Sequence, residues 1–339
     1  MTEVAREVAT GADPRASVWS PSVERFHQRA IFGPVLVGTV AITALTAVWT
    51  PPDTVSIAVV ALVVAVVGIP HGSVDHLVVA EATGRNDVRS TIVVLGRYTL
   101  TMAAVGLGWL LAPAVVLALF LVISVHHFGQ SDLADLPTAG VVRLTSFWSR
   151  GIVLVGLPLV AHLDDVGPTI DALAGTDPTT WSWLADHVWL WTTAIVVQHA
   201  VMLAVLAPTL DASTTRRELV TACALGALFV AAPPLVGFAI YFGLWHSLRH
   251  LLALSSFLGE PSAPLRSTYR KAMPLTLISL TAVAAVSVAL VVSDRSDLFV
   301  PVLFAFIAMV TVPHMFVVEQ MWAPPTSPTD QAAMASSSS

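Results

Sequence analysis

Apolar runs of about 20 residues, nearly free of charge, recur along this 339-residue chain and constrain it more than any other feature. At 1.5 Å per residue, a helix of that length spans the hydrocarbon core of a bilayer. Ten such runs can be read: 31–49, 54–76, 91–111, 113–128, 147–162, 187–207, 218–232, 234–257, 272–292 and 299–320. Pro113 and the Pro233–Pro234 pair separate neighbouring runs. The expected fold is all-α, a polytopic transmembrane helix bundle of about ten spans, or eight if an adjacent pair fails to cross. Residues 1–30 form a polar N-terminal segment without the apolar core of a signal peptide. Residues 31–322 are expected to form a single transmembrane domain. The polar tail 323–339, ending in four serines, reads as disordered.

Charge supports this reading. Only 11% of residues are charged and 55% are hydrophobic, against roughly 25% charged in a soluble domain. The net charge of −6 gives no basic surface for nucleic acid. Cys223 is the single cysteine, which excludes an internal disulfide and a cysteine-based metal cluster. Lys271 is the only lysine. Twelve of the 16 basic residues fall in alternate segments: Arg6, Arg15, Arg25 and Arg29; Arg85 and Arg89; Arg143; Arg216 and Arg217; Arg266, Arg270 and Lys271. Because cytoplasmic loops collect Arg and Lys, both termini are expected in the cytoplasm of a multi-pass cell-membrane protein. Trp181, Trp183, Trp189 and Trp191 read as an interfacial belt on the other side.

The chemistry lies in the histidines. His71 and His76 sit in a Pro-His-Gly-Ser-Val-Asp-His stretch, His126 and His127 precede Phe128-Gly129, His246 and His250 flank Ser-Leu-Arg, and His314 follows Pro313. These positions fall at similar depths in four of the spans. Ionisable groups in a bilayer must face a partner or a cavity. A lone histidine is more often an interhelical hydrogen-bonder, which suits His162, His187 and His199, but not imidazoles agreeing in depth on four helices. His246 and His250 are i and i+4 and share a helix face, able to bind one ion. Only one of His126 and His127 can point at the same centre. Asp75 is placed to orient His71 or its neighbour, and Asp132 is either a similar outer partner or a helix-end residue. His76 and His314 remain open as ligands or outer groups. Nitrogen donors suit Fe, Zn or Cu better than Mg or Ca. A zinc protease would need a Glu between paired histidines, and residues 247–249 are Ser, Leu and Arg.

At these residues the sequence resembles the Brp/Blh family, the bacteriorhodopsin-related membrane β-carotene 15,15′-dioxygenases of archaea and bacteria. The matching pieces are Pro70 to His76, His127-Phe128-Gly129 with Asp132, Trp245-His246-Ser247 with Arg249-His250, and Pro313-His314. The resemblance implies an Fe(II) enzyme that cleaves the central double bond of β-carotene with O2, giving two molecules of all-trans-retinal for a microbial rhodopsin. It carries the iron ligands to His71, His127, His246 and His250. Asp75, His76, His126, Asp132, Arg249 and His314 are outer-shell or alternative ligand candidates. Phe128, Tyr241, Phe242 and Trp245 lie near the ligands in sequence and are candidates to line a substrate tunnel. Three other classes compete. A metal or proton transporter would need polar groups at several depths. A di-iron desaturase or hydroxylase would show a His-x-x-His-His box. A retinal-binding protein would need a Schiff-base lysine within a span, and Lys271 lies at a loop–helix junction.

Overall fold

The computed structural model describes residues 21–259 and 264–322, and every regular element among them is helical. In chain order the long helices are α1 (Val23–Val48), α2 (Asp53–Thr83), α3 (Val88–Leu111), α4 (Pro113–Leu133) and α5 (Gly140–Ala161). They continue with the short α6 (Leu163–Ala174), then α7 (Val188–Thr209) and α8 (Ala212–Ala231). Next come α9 (234–257), α10 (Leu265–Val292) and α11 (Ser296–Met321). α9 is continuous through Pro234–Ala239, Ile240–Ser247 and Leu248–Phe257.

Eight of these, α1 to α5, α7, α10 and α11, are long and apolar enough to cross a membrane. The other two expected spans exist as helices but carry more polarity: α8 holds Arg216, Arg217 and Glu218 in its second turn, and α9 holds His246, Arg249 and His250. They form an adjacent pair, as the eight-span reading requires. Some boundaries differ from the sequence expectation. Helix starts at Pro21, so the last ten residues of the expected polar segment belong to the first helix; Pro21 suits a first turn because its missing N–H has no helical partner there. α5 begins at Gly140, seven residues before the expected 147. The acidic stretch after it is not a plain loop but contains α6, closed by Gly175 in the left-handed conformation. The expected disordered tail, 323–339, lies outside the described residues.

The bundle carries apolar side chains on its outside and many of its polar ones within. Val48, Leu62, Leu100, Leu110, Leu111 and Val292 are exposed, while His71, Asp75, His127, Asp132, Arg150, Glu218, His246, His250 and His314 are buried. None of the α3 residues is buried. That distribution inverts the one water selects and suits lipid.

Glycines set how closely the helices meet. A Cβ on Gly129 of α4 would overlap the Phe147 carbonyl of α5, and one on Gly151 of α5 would overlap the Val125 carbonyl of α4. α2 and α9 approach through a second pair: a Cβ on Gly68 would lie 2.7 Å from the Phe242 ring, and one on Gly243 would overlap Val63. Lipid gives little hydrophobic push between helices, so close backbone packing of this kind does much of the joining.

A cluster of buried histidines

Two of the four histidine helices, α2 and α9, depart from regular α geometry next to their histidines, and α11 carries a proline there, while α4 runs as an unbroken α-helix. In α2, Pro70 lacks an N–H and its ring crowds the carbonyl four residues back, that of Val66. The helix widens to a π turn over Val64–Gly68, and the freed Val66 carbonyl accepts a hydrogen bond from the Tyr269 hydroxyl of α10 at 3.0 Å. The same irregularity opens the Gly68 carbonyl, which accepts from His71 Nδ1. α2 then breaks at Ser73–Val74 before resuming at Asp75. In α11, Pro313 precedes His314, and the Tyr98 hydroxyl of α3 donates to the nearby Val310 carbonyl at 3.2 Å. In α9, Ile240–Ser247 is π-helical through His246. Such stretches concentrate at functional sites because they turn side chains that a regular helix would aim elsewhere.

Five imidazoles from four helices meet in the interior. Ring centroids of His71 lie 5.4 Å from His246, 5.6 Å from His250 and 5.0 Å from His314. His127 lies 5.1 Å from His246 and 5.5 Å from His314. His250 is 5.2 Å from His314, and the i, i+4 rings of His246 and His250 stack 6.1 Å apart. His314 therefore belongs to the cluster as fully as the four histidines named by family resemblance. Its Nδ1 sits 2.9 and 3.0 Å from the two carboxylate oxygens of Asp75. Asp75 thus orients His314, on another helix, and not His71, which takes the Gly68 carbonyl instead.

This arrangement leaves a deficit of partners. His127 Nδ1, both ring nitrogens of His246, His250 Nε2 and His314 Nε2 are buried without a hydrogen-bond partner. A buried polar atom left unpaired costs about 1–3 kcal/mol, so several such atoms in one cluster ask for a common partner. A metal ion held among bundle helices is such a partner, and an all-imidazole set suits a first-row ion such as iron, zinc or copper. Asp75 behind His314 and the Gly68 carbonyl behind His71 occupy Nδ1 of each ring, the kind of outer acceptor that would fix the tautomer of a ligand histidine. The rings meet mostly edge to face, and among the described residues no group of three or more His, Cys, Asp or Glu side chains has its donor atoms placed to hold a metal ion.

The remaining candidates separate cleanly. His127 points into the cluster, whereas His126 faces outward, 3.7 Å from Glu319 and against Trp148. His76 stands apart in a groove between α2 and α3. The Phe128 ring meets His246 edge-on at 4.8 Å, and the Phe242 ring meets both His71 and His246. Tyr241 packs on Phe128 and bonds Asp132 at 3.4 Å. Trp245 does not join them: its indole N–H donates to Thr39 of α1 at 2.9 Å and its ring packs on Phe32. Of the residues expected to be simple hydrogen-bonders, His162 meets the Phe229 carbonyl and His199 the Ser149 hydroxyl.

Asp132 and Arg249 belong to an ionic network beside the cluster that sequence reasoning missed. Arg249 donates to the Asp132 carbonyl at 2.8 Å and to Asp135 at 2.7 Å, tying α9 to the end of α4. Arg217 reaches Asp135 and Glu218, both at 3.3 Å. Arg150, fully buried in α5, pairs with Glu218 and lies 3.9 Å from Asp132. These three guanidiniums and three carboxylates line a cavity of about 310 Å³, together with Glu24, His27 and Asp211. Arg150 and Glu218 each look like a stray charge at the edge of an apolar run; their common signal was only that intramembrane charges need partners.

Comparison with known proteins places this geometry. A family model described as β-carotene 15,15′-dioxygenase matches residues 62–322, a stretch containing all five clustered histidines. A protein of Halobacterium salinarum named "Probable beta-carotene 15,15′-dioxygenase Blh" is 27% identical over 249 residues, covering 69% of this chain and 72% of its own. A β-carotene 15,15′-dioxygenase from uncultured marine bacterium 66A03 is 26% identical over 270 residues, covering 77% of this chain and 92% of its own. No solved structure matches. With most of its length matched, the chain belongs to the β-carotene 15,15′-dioxygenase family and is an enzyme of that class.

Proposed function

We propose that this protein is an iron-dependent oxygenase of the cell membrane, with both termini cytoplasmic. It cleaves β-carotene at the central 15,15′ double bond with O2 and yields two molecules of all-trans-retinal, which can pass to a microbial rhodopsin. The observation that carries this reading is the set of buried imidazoles, drawn from α2, α4, α9 and α11, whose ring nitrogens lack partners. His71, His127, His246 and His250 would hold the ion, with His314 as a fifth candidate ligand. Bound Fe(II) supplies the redox chemistry that activates O2.

The chain's own residues do the rest. Gly68 and Asp75 keep His71 and His314 in the tautomer that presents Nε2 inward. Phe128 and Phe242, packed on His246, offer flat apolar faces against which a polyene can lie, and so help place the central bond at the cluster. Both atoms of O2 end in the two aldehydes, so no net proton or external reductant is consumed, and the buried Asp75–His314 pair is needed to orient a ring, not to transfer a proton to substrate. The hydrocarbon substrate dissolves in lipid and the bundle's outer surface is apolar, so lateral entry needs no aqueous capture step.

Expression in β-carotene-producing cells tests the reading. Loss of orange colour with appearance of retinal, and about one iron per purified chain, is the expected result. Retained colour in cells containing inserted protein would overturn it. An iron content near two would point instead to a di-iron oxygenase, and metal flux in proteoliposomes without cleavage to a transporter.

A further inference from the structure

The last turns of α2 and the first half of α3 enclose a groove of about 530 Å³ that the catalytic reading does not use. His76 and Thr83 line one wall, Arg85 the connecting turn, and Arg89, Val93 and Arg97 the other wall. Arg89, Val93 and Arg97 follow one another at i, i+4 and i+8, so they share one face of α3. The side chains of Arg85, Arg89 and Arg97 are exposed and have no carboxylate or hydrogen-bond partner among the described residues.

Asp87, the single carboxylate lining the groove, is already engaged. It caps α3, accepting from the Ser90 amide at 3.0 Å and the Ser90 hydroxyl at 2.5 Å, and these bonds hold its carboxyl below the usual carboxylate range. Arg97 is the telling residue. It lies nine residues past Val88, about 14 Å along the helix, on an element with no buried residue. A cation at that depth on the outside of a bundle must snorkel or meet an anion. Helical side chains lean toward the helix N-terminus, here the polar end, which brings the Arg97 guanidinium back toward Arg89.

We propose that this groove binds the phosphate headgroup of an anionic membrane lipid, with Arg89 and Arg97 as its main contacts and Arg85 at its rim. Val79, Val93 and Val94 give the groove an apolar wall for the upper part of an acyl chain. That wall and the depth of Arg97 favour a lipid over free phosphate. Guanidinium is suited to the task because it can donate two parallel N–H bonds to phosphate oxygens. The proposal is independent of the metal and of carotene cleavage.

The test uses the purified full-length protein and reads lipid retention by native mass spectrometry, alongside the unfolding midpoint in nanodiscs of phosphatidylglycerol or phosphatidylcholine. The wild type should retain phosphatidylglycerol and melt higher in it than in phosphatidylcholine. At roughly fivefold per arginine near an anionic surface, R89Q/R97Q should bind it about 30-fold more weakly. R97K, which keeps the charge but loses the fork, should fall between. A photoreactive phosphatidylglycerol should crosslink to residues 76–97 of the wild type, a readout that survives if the double variant fails to fold. Crosslinking elsewhere, equal binding by the double variant, or an equal midpoint shift from inorganic phosphate would overturn the proposal.

Discussion

Asp75→Asn isolates the outer layer of the histidine site. The carboxylate lies 2.9 and 3.0 Å from His314 Nδ1 and reaches no other clustered ring through a hydrogen bond. It accepts the Nδ1 proton, which leaves the lone pair on the unpartnered Nε2, and its charge makes that nitrogen a better donor to a cation. Asparagine keeps the shape and one acceptor oxygen but removes the charge. Loss of such a partner typically lowers metal affinity 10–100-fold, about 1.4–2.7 kcal/mol. Anaerobic equilibrium dialysis of the detergent-solubilised apo-protein against Fe(II) would measure it, with Co(II) spectra as a second readout. The cycle with His314→Ala decides the route: if Asp75 acts through His314, the Asn substitution costs nothing further once His314 is gone. An unchanged affinity in Asp75→Asn, or the same loss in the His314→Ala background, would refute the reasoning.

Ala at His246 or His250 should abolish retinal formation per unit of inserted protein and lower its iron content, while Ala at His162 or His199 should leave substantial activity. His127→Ala should be inactive and His126→Ala active, because only the first ring faces the cluster; the same retinal assay checks both. Arg150→Met should destabilise the protein, seen as a lower unfolding midpoint, by less than the roughly 3–5 kcal/mol of stranding half of a buried ion pair because Arg217 still reaches Glu218; Arg150→Met with Glu218→Leu should recover part of it. Reporter fusions at Asp164 and Arg266 should fall on opposite sides of the membrane, and the same side for both would break the alternating-charge topology.

The helical bundle was legible because a hydrophobic period sustained over about 20 residues has few other outcomes, and the histidines stood out because polar groups at matching depth break that period. Less legible was anything that depended on local backbone departures. Asp75 reads as i+4 from His71, but the break at Ser73–Val74 turns it away, and its partner is 239 residues along the chain. Trp245 adjoins His246 in sequence, yet the Ile240–Ser247 stretch is π-helical and Trp245 faces Thr39 of α1. The Arg150–Glu218 pair joins residues 68 apart, a contact that no local pattern encodes. Helix geometry alone left His126 and His127 open and family resemblance chose His127; what sets their directions is the packing of α4 on α5, where Gly129 and Gly151 bring the two backbones together.

The same features explain how imidazoles from four helices can stay together in a bundle that lipid does little to compress. Two prolines release carbonyls in α2 and α11, and tyrosines from α10 and α3 bond close to those breaks, so each irregular helix is pinned to a neighbour where it bends. Thr276 of α10 bonds Ser73 at 3.0 Å, anchoring the α2 break a second time. At the other side of the cluster, Arg249 fastens α9 to the end of α4, so His127 and the His246–His250 pair are tied by a link that contacts none of the rings. Rotation of any one of these helices would therefore break a hydrogen bond that lipid cannot replace. Preorganisation of that kind is what the proposed iron site would need: the rings would have to be held near one another before an ion arrives, because neutral imidazoles bring no charge of their own to draw a cation into the bilayer.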